Sequence, residues 1–183
     1  MKKFDFSELF IYDLANNHQG DLQHGLKVVN AIGKESREAS VRAAFKFQFR
    51  QLDTFIHPDF KGNTELPHIS RFKDTKLSMD DYRRLAEEVK KNGMLTLSTP
   101  FDEESVDVLC DMDLDIIKIA SCSAFDKPLL KKIAKANKPV VISTAGLSIN
   151  QIDWIVSFFD SEGISFAIMH CVALYPTPKE KLV

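Results

Sequence analysis

Two stretches decide how this chain is read: Ala43-Ala44-Phe45-Lys46-Phe47-Gln48-Phe49 and Asp115-Ile116-Ile117-Lys118-Ile119-Ala120-Ser121. Each is a strand-length run of apolar residues interrupted by a single lysine. Burying an unpaired ammonium costs several kcal/mol, so such a lysine reaches back to water, pairs with an anion, or titrates. A pair at the same relative place in strand-like segments points to an anionic ligand at the end of a parallel sheet. The competing reading is a lysine whose stem packs while its head reaches solvent. Gln48 has the strand parity of Lys46, so the two share a face, and an amide beside an ammonium suits a planar carboxylate.

Similar runs recur at Leu9–Leu14, Met94–Ser98, Pro139–Ser143 and Phe166–His170. Helical spacing fills the intervals. Tyr82, Leu85, Ala86 and Val89 follow a candidate cap at Ser78, and Ile152, Ile155, Val156 and Phe159 follow Ser148. Leu129, Leu130, Ile133 and Ala134 mark another helix, and Leu22, Leu26 and Val29 begin the first. A βα alternation repeated about six times demands parallel strands and right-handed crossovers. No GxGxxG or GxxxxGK[ST] follows a strand, which weakens a nucleotide-binding doubly wound sheet. Polar residues gather instead at the C-terminal strand ends, where a (β/α)8 TIM barrel builds its sites. The expected fold is therefore an α/β (β/α)8 barrel, incomplete. A whole barrel takes about 250 residues, so residues 1–183 are expected to form a partial barrel domain lacking the last two βα units. The long Arg50–Ser78 connection is expected to be a lid or an oligomer contact, since Phe55, Ile56, Phe60 and Phe72 argue against a disordered linker.

Composition excludes several classes. A net charge of −2 gives no reason to expect nucleic acid or an anionic membrane, and 44% hydrophobic with 27% charged residues is ordinary globular usage. No apolar run approaches spanning length. The cysteines, Cys110, Cys122 and Cys171, are odd in number and lack CxxC spacing, which fits reduced thiols in the cytoplasm. Ser98-Thr99-Pro100 and Ser143-Thr144-Ala145-Gly146 put hydroxyls at strand-to-helix turns, suited to oxyanion or phosphate contacts, with helix capping as the rival role. Asp102 reads as a cap for the helix through Ser105–Cys110. His18 and His170 flank strand ends, and each reads first as a structural hydrogen-bonder. No HxH or HExxH spacing marks a metal site.

The segments Asp13-Leu14-Ala15-Asn16-Asn17-His18-Gln19-Gly20, Lys46-Phe47-Gln48, Ser98-Thr99-Pro100-Phe101-Asp102, Lys118-Ile119-Ala120-Ser121 and His170-Cys171-Val172-Ala173-Leu174-Tyr175-Pro176-Thr177-Pro178, in that order, resemble the N-acetylneuraminate (sialic acid) synthase family. The resemblance implies a transferase that condenses phosphoenolpyruvate with an N-acylated amino sugar such as N-acetylmannosamine, giving a nine-carbon 2-keto acid and phosphate. It implies a divalent metal, Mn or Mg, in the full-length protein, with ligands not in this chain, and a C-terminal antifreeze-like domain completing a swapped homodimer. Carried over by position, Lys46, Gln48, Thr99, Lys118, Ser121 and Ser143 would hold phosphoenolpyruvate, with Asp13, Lys46 and Lys118 as the catalytic groups. Tyr175 would line the sugar pocket, and Asp13 stands for the family's acidic residue near the acceptor.

The departures fall on one side. The family usually has glutamate where Asp13 stands, and Gly-Glu where Cys122-Ser123 follows Ser121. Ala145 and Ala173 replace a commoner glycine and a polar residue. The phosphoenolpyruvate side is kept and the acceptor side altered, which leaves the sugar open; the resemblance places the family's two metal-binding histidines in strands beyond Val183, so the fragment alone is expected not to complete the reaction. Two other classes stay in view. One is a Schiff-base barrel aldolase with Lys118 as nucleophile, the other a non-catalytic sugar-phosphate-binding barrel.

Overall fold

The computed structural model describes residues 3–61, 66–174 and 176–182. Six strands, β1 (Leu9–Asp13), β2 (Arg42–Phe49), β3 (Leu95–Pro100), β4 (Ile116–Ile119), β5 (Val140–Ser143) and β6 (Phe166–Met169), lie in sequential order and are all parallel. They curl into a half-barrel with helices outside. After β1 comes α1 (Leu22–Glu38). After β2 come α2 (Leu52–Phe55), a 3-10 turn at Pro58–Phe60, α3 (Pro67–Asp74) and α4 (Met79–Lys91). The crossovers α5 (Glu103–Asp111), α6 (Lys127–Lys135) and α7 (Ile149–Ser161) follow β3, β4 and β5.

The expected six βα units are five complete units and a sixth strand, since only a 3-10 turn at Lys179–Lys181 follows β6 among the described residues. β1 stops at Asp13 and β6 at Met169, each a residue short of expectation, while β3 runs on to Pro100. The expected caps hold. Ser78 with Asp81 and Ser148 with Gln151 form capping boxes, and Asp102 Oδ1 accepts from Ser105 N at 2.7 Å. The long connection carries helical pieces and aromatic contacts.

Strand alternation divides the sheet into two faces. On the outer face Phe45, Phe47, Ile117, Ile119, Val140 and Ile142 are buried beneath the helices in the main core. On the inner face Ala44, Leu97, Ile116 and Val141 form a second cluster with Leu9, Ile11 and Leu95. Phe4 and Phe6 pack against it, with Phe4 N donating to Ser165 Oγ at 3.0 Å and the Arg42 guanidinium 5.2 Å from the Phe4 ring. Leu97, Ile116 and Val141 each contribute about 1.5–3 kcal/mol by leaving water. Together they make an apolar floor, so polar inner-face side chains further along the strands stand over a low-dielectric base.

Outside the sheet, α1 meets α4 at Gly33, where a side chain has no room. An added Cβ would overlap the Asn92 side chain, its Cβ only 2.7 Å away. Asn92 cannot yield easily, because Oδ1 accepts from Arg37 Nη1 at 2.7 Å and Nδ2 donates to Asn30 Oδ1 and Glu88 O, each at 3.0 Å. Gly33→Ala should therefore destabilise the fold by about 1–3 kcal/mol of overpacking, outweighing the gain of about 1 kcal/mol in helix propensity. Urea denaturation followed by circular dichroism reads this as a lower midpoint at constant slope; an unchanged or raised midpoint contradicts the packing argument.

Candidate active site

Asp13, Lys46, Gln48, Thr99, Lys118 and Ser143 alternate with the outer-face residues of their strands, and so belong to the inner face near the C-terminal ends. Lys46 is registered with Asp13 on one side and Leu97 on the other, and Leu97 with Ile116. Lys118 thus lies two residues beyond Lys46 along the ladder, and the two are not in register. In a whole (β/α)8 barrel a tilt of about 36° and a strand spacing of about 4.8 Å make a two-strand step worth about 5.6 Å of height, close to two residues of strand, which is how alternate strands there supply one layer. The two charges do feel each other: repulsion from Lys46 is one cause of the lowered Lys118 pKa.

The two ammonium groups have different partners. Lys118 is 7% exposed and donates to Ile119 O at 2.7 Å and Ser143 Oγ at 2.5 Å. An ammonium has three N–H donors, so one is left for a ligand. Burial first, and Lys46 second, push its pKa down to about 8, although Cys171, Asp13 and Cys122 act the other way. Lys46 instead has an anion in place, its Nζ 2.7 Å from Asp13 Oδ2, with its side chain 13% exposed and that of Asp13 47% exposed. The other Asp13 oxygen accepts from Ala15 N at 3.0 Å. This pairing is not readable from either strand alone.

Around the lysines stand groups that can donate to an anion. Thr99 is buried beside Gln48, its registered neighbour. Ser121 opens a 3-10 turn after β4, and its Oγ accepts from Ala145 N at 3.1 Å, tying the ends of β4 and β5 together. Ser98 faces the outer side with its registered neighbour Phe47, so of the Ser98-Thr99 pair only Thr99 reaches the inner face. Thr144 donates to Met169 O at 3.1 Å, a structural role. Tyr175 lies outside the described residues.

Arg50 is the residue that motif reading passed over. Its Nη2 donates to Gln48 Oε1 at 2.6 Å, and its guanidinium carbon lies 4.4 Å from the Phe72 centroid and 4.3 Å from that of Phe101. Its signal was present: Lys46, Gln48 and Arg50 alternate with Phe47 and Phe49. Asp102 is more than a cap, since Oδ2 accepts from Gln51 N at 3.0 Å and fixes the start of the long connection.

His18 is fully buried, accepts at Nδ1 from Gly20 N at 3.1 Å, and has Nε2 3.5 Å from the Tyr82 hydroxyl. Burial lowers its pKa, consistent with a neutral structural imidazole. His170 is exposed just past β6. Among the described residues no three His, Cys, Asp or Glu side chains gather in a metal-sized cluster. These residues do not fit the divalent ion that the resemblance implies. No helix among them is long and apolar enough to cross a membrane. Chemically, the mouth combines two cations, one poorly solvated, with amide and hydroxyl donors above an apolar floor. That is a set for binding a small, highly charged anion.

Comparison with known proteins gives the family of the chain. The NeuB family model matches residues 34–183. An uncharacterized protein of Methanocaldococcus jannaschii is 34% identical over 165 residues, covering 90% of this chain and 46% of its own. N-acetylneuraminate-9-phosphate synthase of Drosophila melanogaster is 30% identical over 186 residues, covering 95% of this chain and 48% of its own. Among solved structures, a Chromobacterium violaceum protein assigned to spore coat polysaccharide biosynthesis as protein E is similar with a TM-score of 0.91 and 46% identity, over 95% of this chain and 52% of that one. The chain spans about half the length of the curated relatives it matches. With the model matched over most of its residues and the motifs in order along the strand ends, this chain belongs to the NeuB family, whose named members include sialic acid and related nonulosonic acid synthases.

Proposed function

We propose that this chain supplies the phosphoenolpyruvate-binding part of a synthase that joins phosphoenolpyruvate to an N-acylated amino-sugar aldehyde. The observation that carries the reading is the convergence of Lys46, Lys118, Gln48, Thr99 and Ser143 on one face at the strand ends. In the reaction, C3 of phosphoenolpyruvate forms a bond to the aldehyde carbon, water adds at C2, and inorganic phosphate leaves to give a 2-keto acid. Lys46 and Lys118 neutralise charge on the phosphate and carboxylate, and the hydroxyls and the Gln48 amide orient the enol. Ser121 joins them from the turn after β4. In the whole protein the six strands would belong to a complete (β/α)8 barrel, with two further βα units, an antifreeze-like domain, a homodimeric partner, and a divalent ion held by residues outside this chain. These 183 residues alone would bind phosphoenolpyruvate without turning over. The three free thiols suit a cytoplasmic location.

A trianion needs both ammonium groups. Lys46→Met or Lys118→Met in the full-length protein should abolish phosphoenolpyruvate binding in calorimetry. Lys118 is charged below its pKa of about 8 and neutral above it, so wild-type affinity should hold from about pH 6.5 to 7.5 and fall as pH rises beyond 8. Unchanged affinity in both variants would refute the reading.

The depressed pKa also favours a second reading, since an amine with pKa near 8 can attack a carbonyl as the free base. Borohydride with pyruvate separates the two. A synthase forms no imine, so the mass of the protein should stay unchanged; reductive trapping on Lys118 would establish the Schiff-base lyase.

On the acceptor side, Asp13 replaces the family's usual glutamate and is engaged by Lys46 and by Ala15 N, and Ser123 stands where a second carboxylate is usual. Losing a carboxylate that receives sugar hydroxyls costs about 1–3 kcal/mol per contact, enough to redirect specificity tenfold or more. The full-length protein should prefer an acceptor other than N-acetylmannosamine, such as a further-modified 2-acetamido hexose. Phosphate release across a sugar panel with manganese present measures this; a clear preference for N-acetylmannosamine defeats the specificity claim and leaves the synthase standing.

A further inference from the structure

The side chain of Gln48 has two ends of opposite polarity, and which end meets a ligand decides whether it attracts or repels an anion. Its Oε1 lies 2.6 Å from Arg50 Nη2. A guanidinium carries N–H donors and no acceptor, so only the carbonyl end of the amide can face it. The NH2 end is then the one left for the mouth, on the face that also presents Lys46 and Lys118. An amide turned the other way would aim a carbonyl oxygen at bound carboxylate or phosphate.

Arg50 is itself held in place. Its guanidinium lies 4.4 Å from the Phe72 ring of α3, 4.3 Å from Phe101 just past β3 and 5.8 Å from Phe55 of α2. Such cation–π contacts strengthen when the cation is desolvated, and burial is the leading influence on Arg50, lowering its pKa. The residue after it is pinned through Gln51 N to Asp102. A cavity of about 250 Å³ lies beneath the long connection, lined by Gln48, Arg50, Leu77 and Tyr82 among others, so the Gln48–Arg50 pair stands where that connection meets the sheet.

We infer that Arg50 is a positioning residue which fixes the donor end of Gln48 toward the anion, coupling the packing of the long connection to phosphoenolpyruvate binding. The inference rests on the reading of the mouth as a phosphoenolpyruvate site. Arg50 acts through Gln48, so the two residues should behave as one unit.

A double-mutant cycle on the full-length protein tests this, with phosphoenolpyruvate affinity read by calorimetry for Arg50→Met, Gln48→Met and the pair. Each single change should weaken binding about tenfold. The double variant should be no more than about twofold weaker than Gln48→Met alone, because nothing remains for Arg50 to orient. Losses that multiply to about a hundredfold would show that Arg50 supports the connection independently of Gln48, and would overturn the coupling. Should Arg50→Met fail to fold, Arg50→Lys keeps a cation between the rings and is judged by the same comparison. Wild-type protein that binds no phosphoenolpyruvate refutes the proposed function and this inference with it; wild-type binding with multiplicative losses refutes the coupling alone.

Discussion

The ammonium of Lys118, 7% exposed at the end of a strand buried on both faces, is the constraint around which the mouth of this half-barrel is organised. A charge in that position needs directed partners, and two come from the protein: the carbonyl of Ile119 and the hydroxyl of Ser143 on the neighbouring strand. Both are dipoles, and among the described residues no carboxylate forms an ion pair with it. The lysine is therefore left partly uncompensated, with its pKa drawn down to about 8. On the proposed function an anionic ligand would supply the compensation that the fold withholds.

Lys46 shows the opposite solution. Asp13 on the adjacent strand neutralises it at 2.7 Å. The site thus carries one cation paired with a carboxylate and one held by dipoles, on alternate strands. Beneath both lies the floor of Ala44, Leu97, Ile116 and Val141, closed by Phe4 and Phe6. That floor keeps water from one side of the lysines, so their charges act at lower effective dielectric than at an open surface.

The long connection after β2 joins this arrangement through the Arg50 guanidinium. Arg50 packs against aromatic rings from α2, from α3 and from the end of β3, and gives one N–H to Gln48. Asp102 adds a second tie, one carboxylate oxygen capping α5 and the other holding Gln51 N. A segment whose length alone suggests mobility is anchored beside the site at both the side-chain and backbone level.

Much of this was legible in the sequence, because alternation and capping are local. Lys46 and Lys118 stood out as charges inside apolar runs, the strand order followed from βα alternation, and Ser78, Asp102 and Ser148 were readable as caps because capping depends on residues three apart. Ser98 and Thr99 could have been separated by parity, which sends neighbours to opposite faces. What sequence could not decide was set by distance along the chain. The Asp13–Lys46 pair joins residues on different strands, Lys118 meets Ser143 across β4 and β5, and Arg50 meets Phe101 only once β3 is registered against β2. The two-residue stagger between the lysines is a property of the sheet that no single strand contains. Residue types determined which groups could bind an anion; tertiary packing decided which were already paired, which way the Gln48 amide turned, and which cation was left open, because those are properties of contacts made across strands.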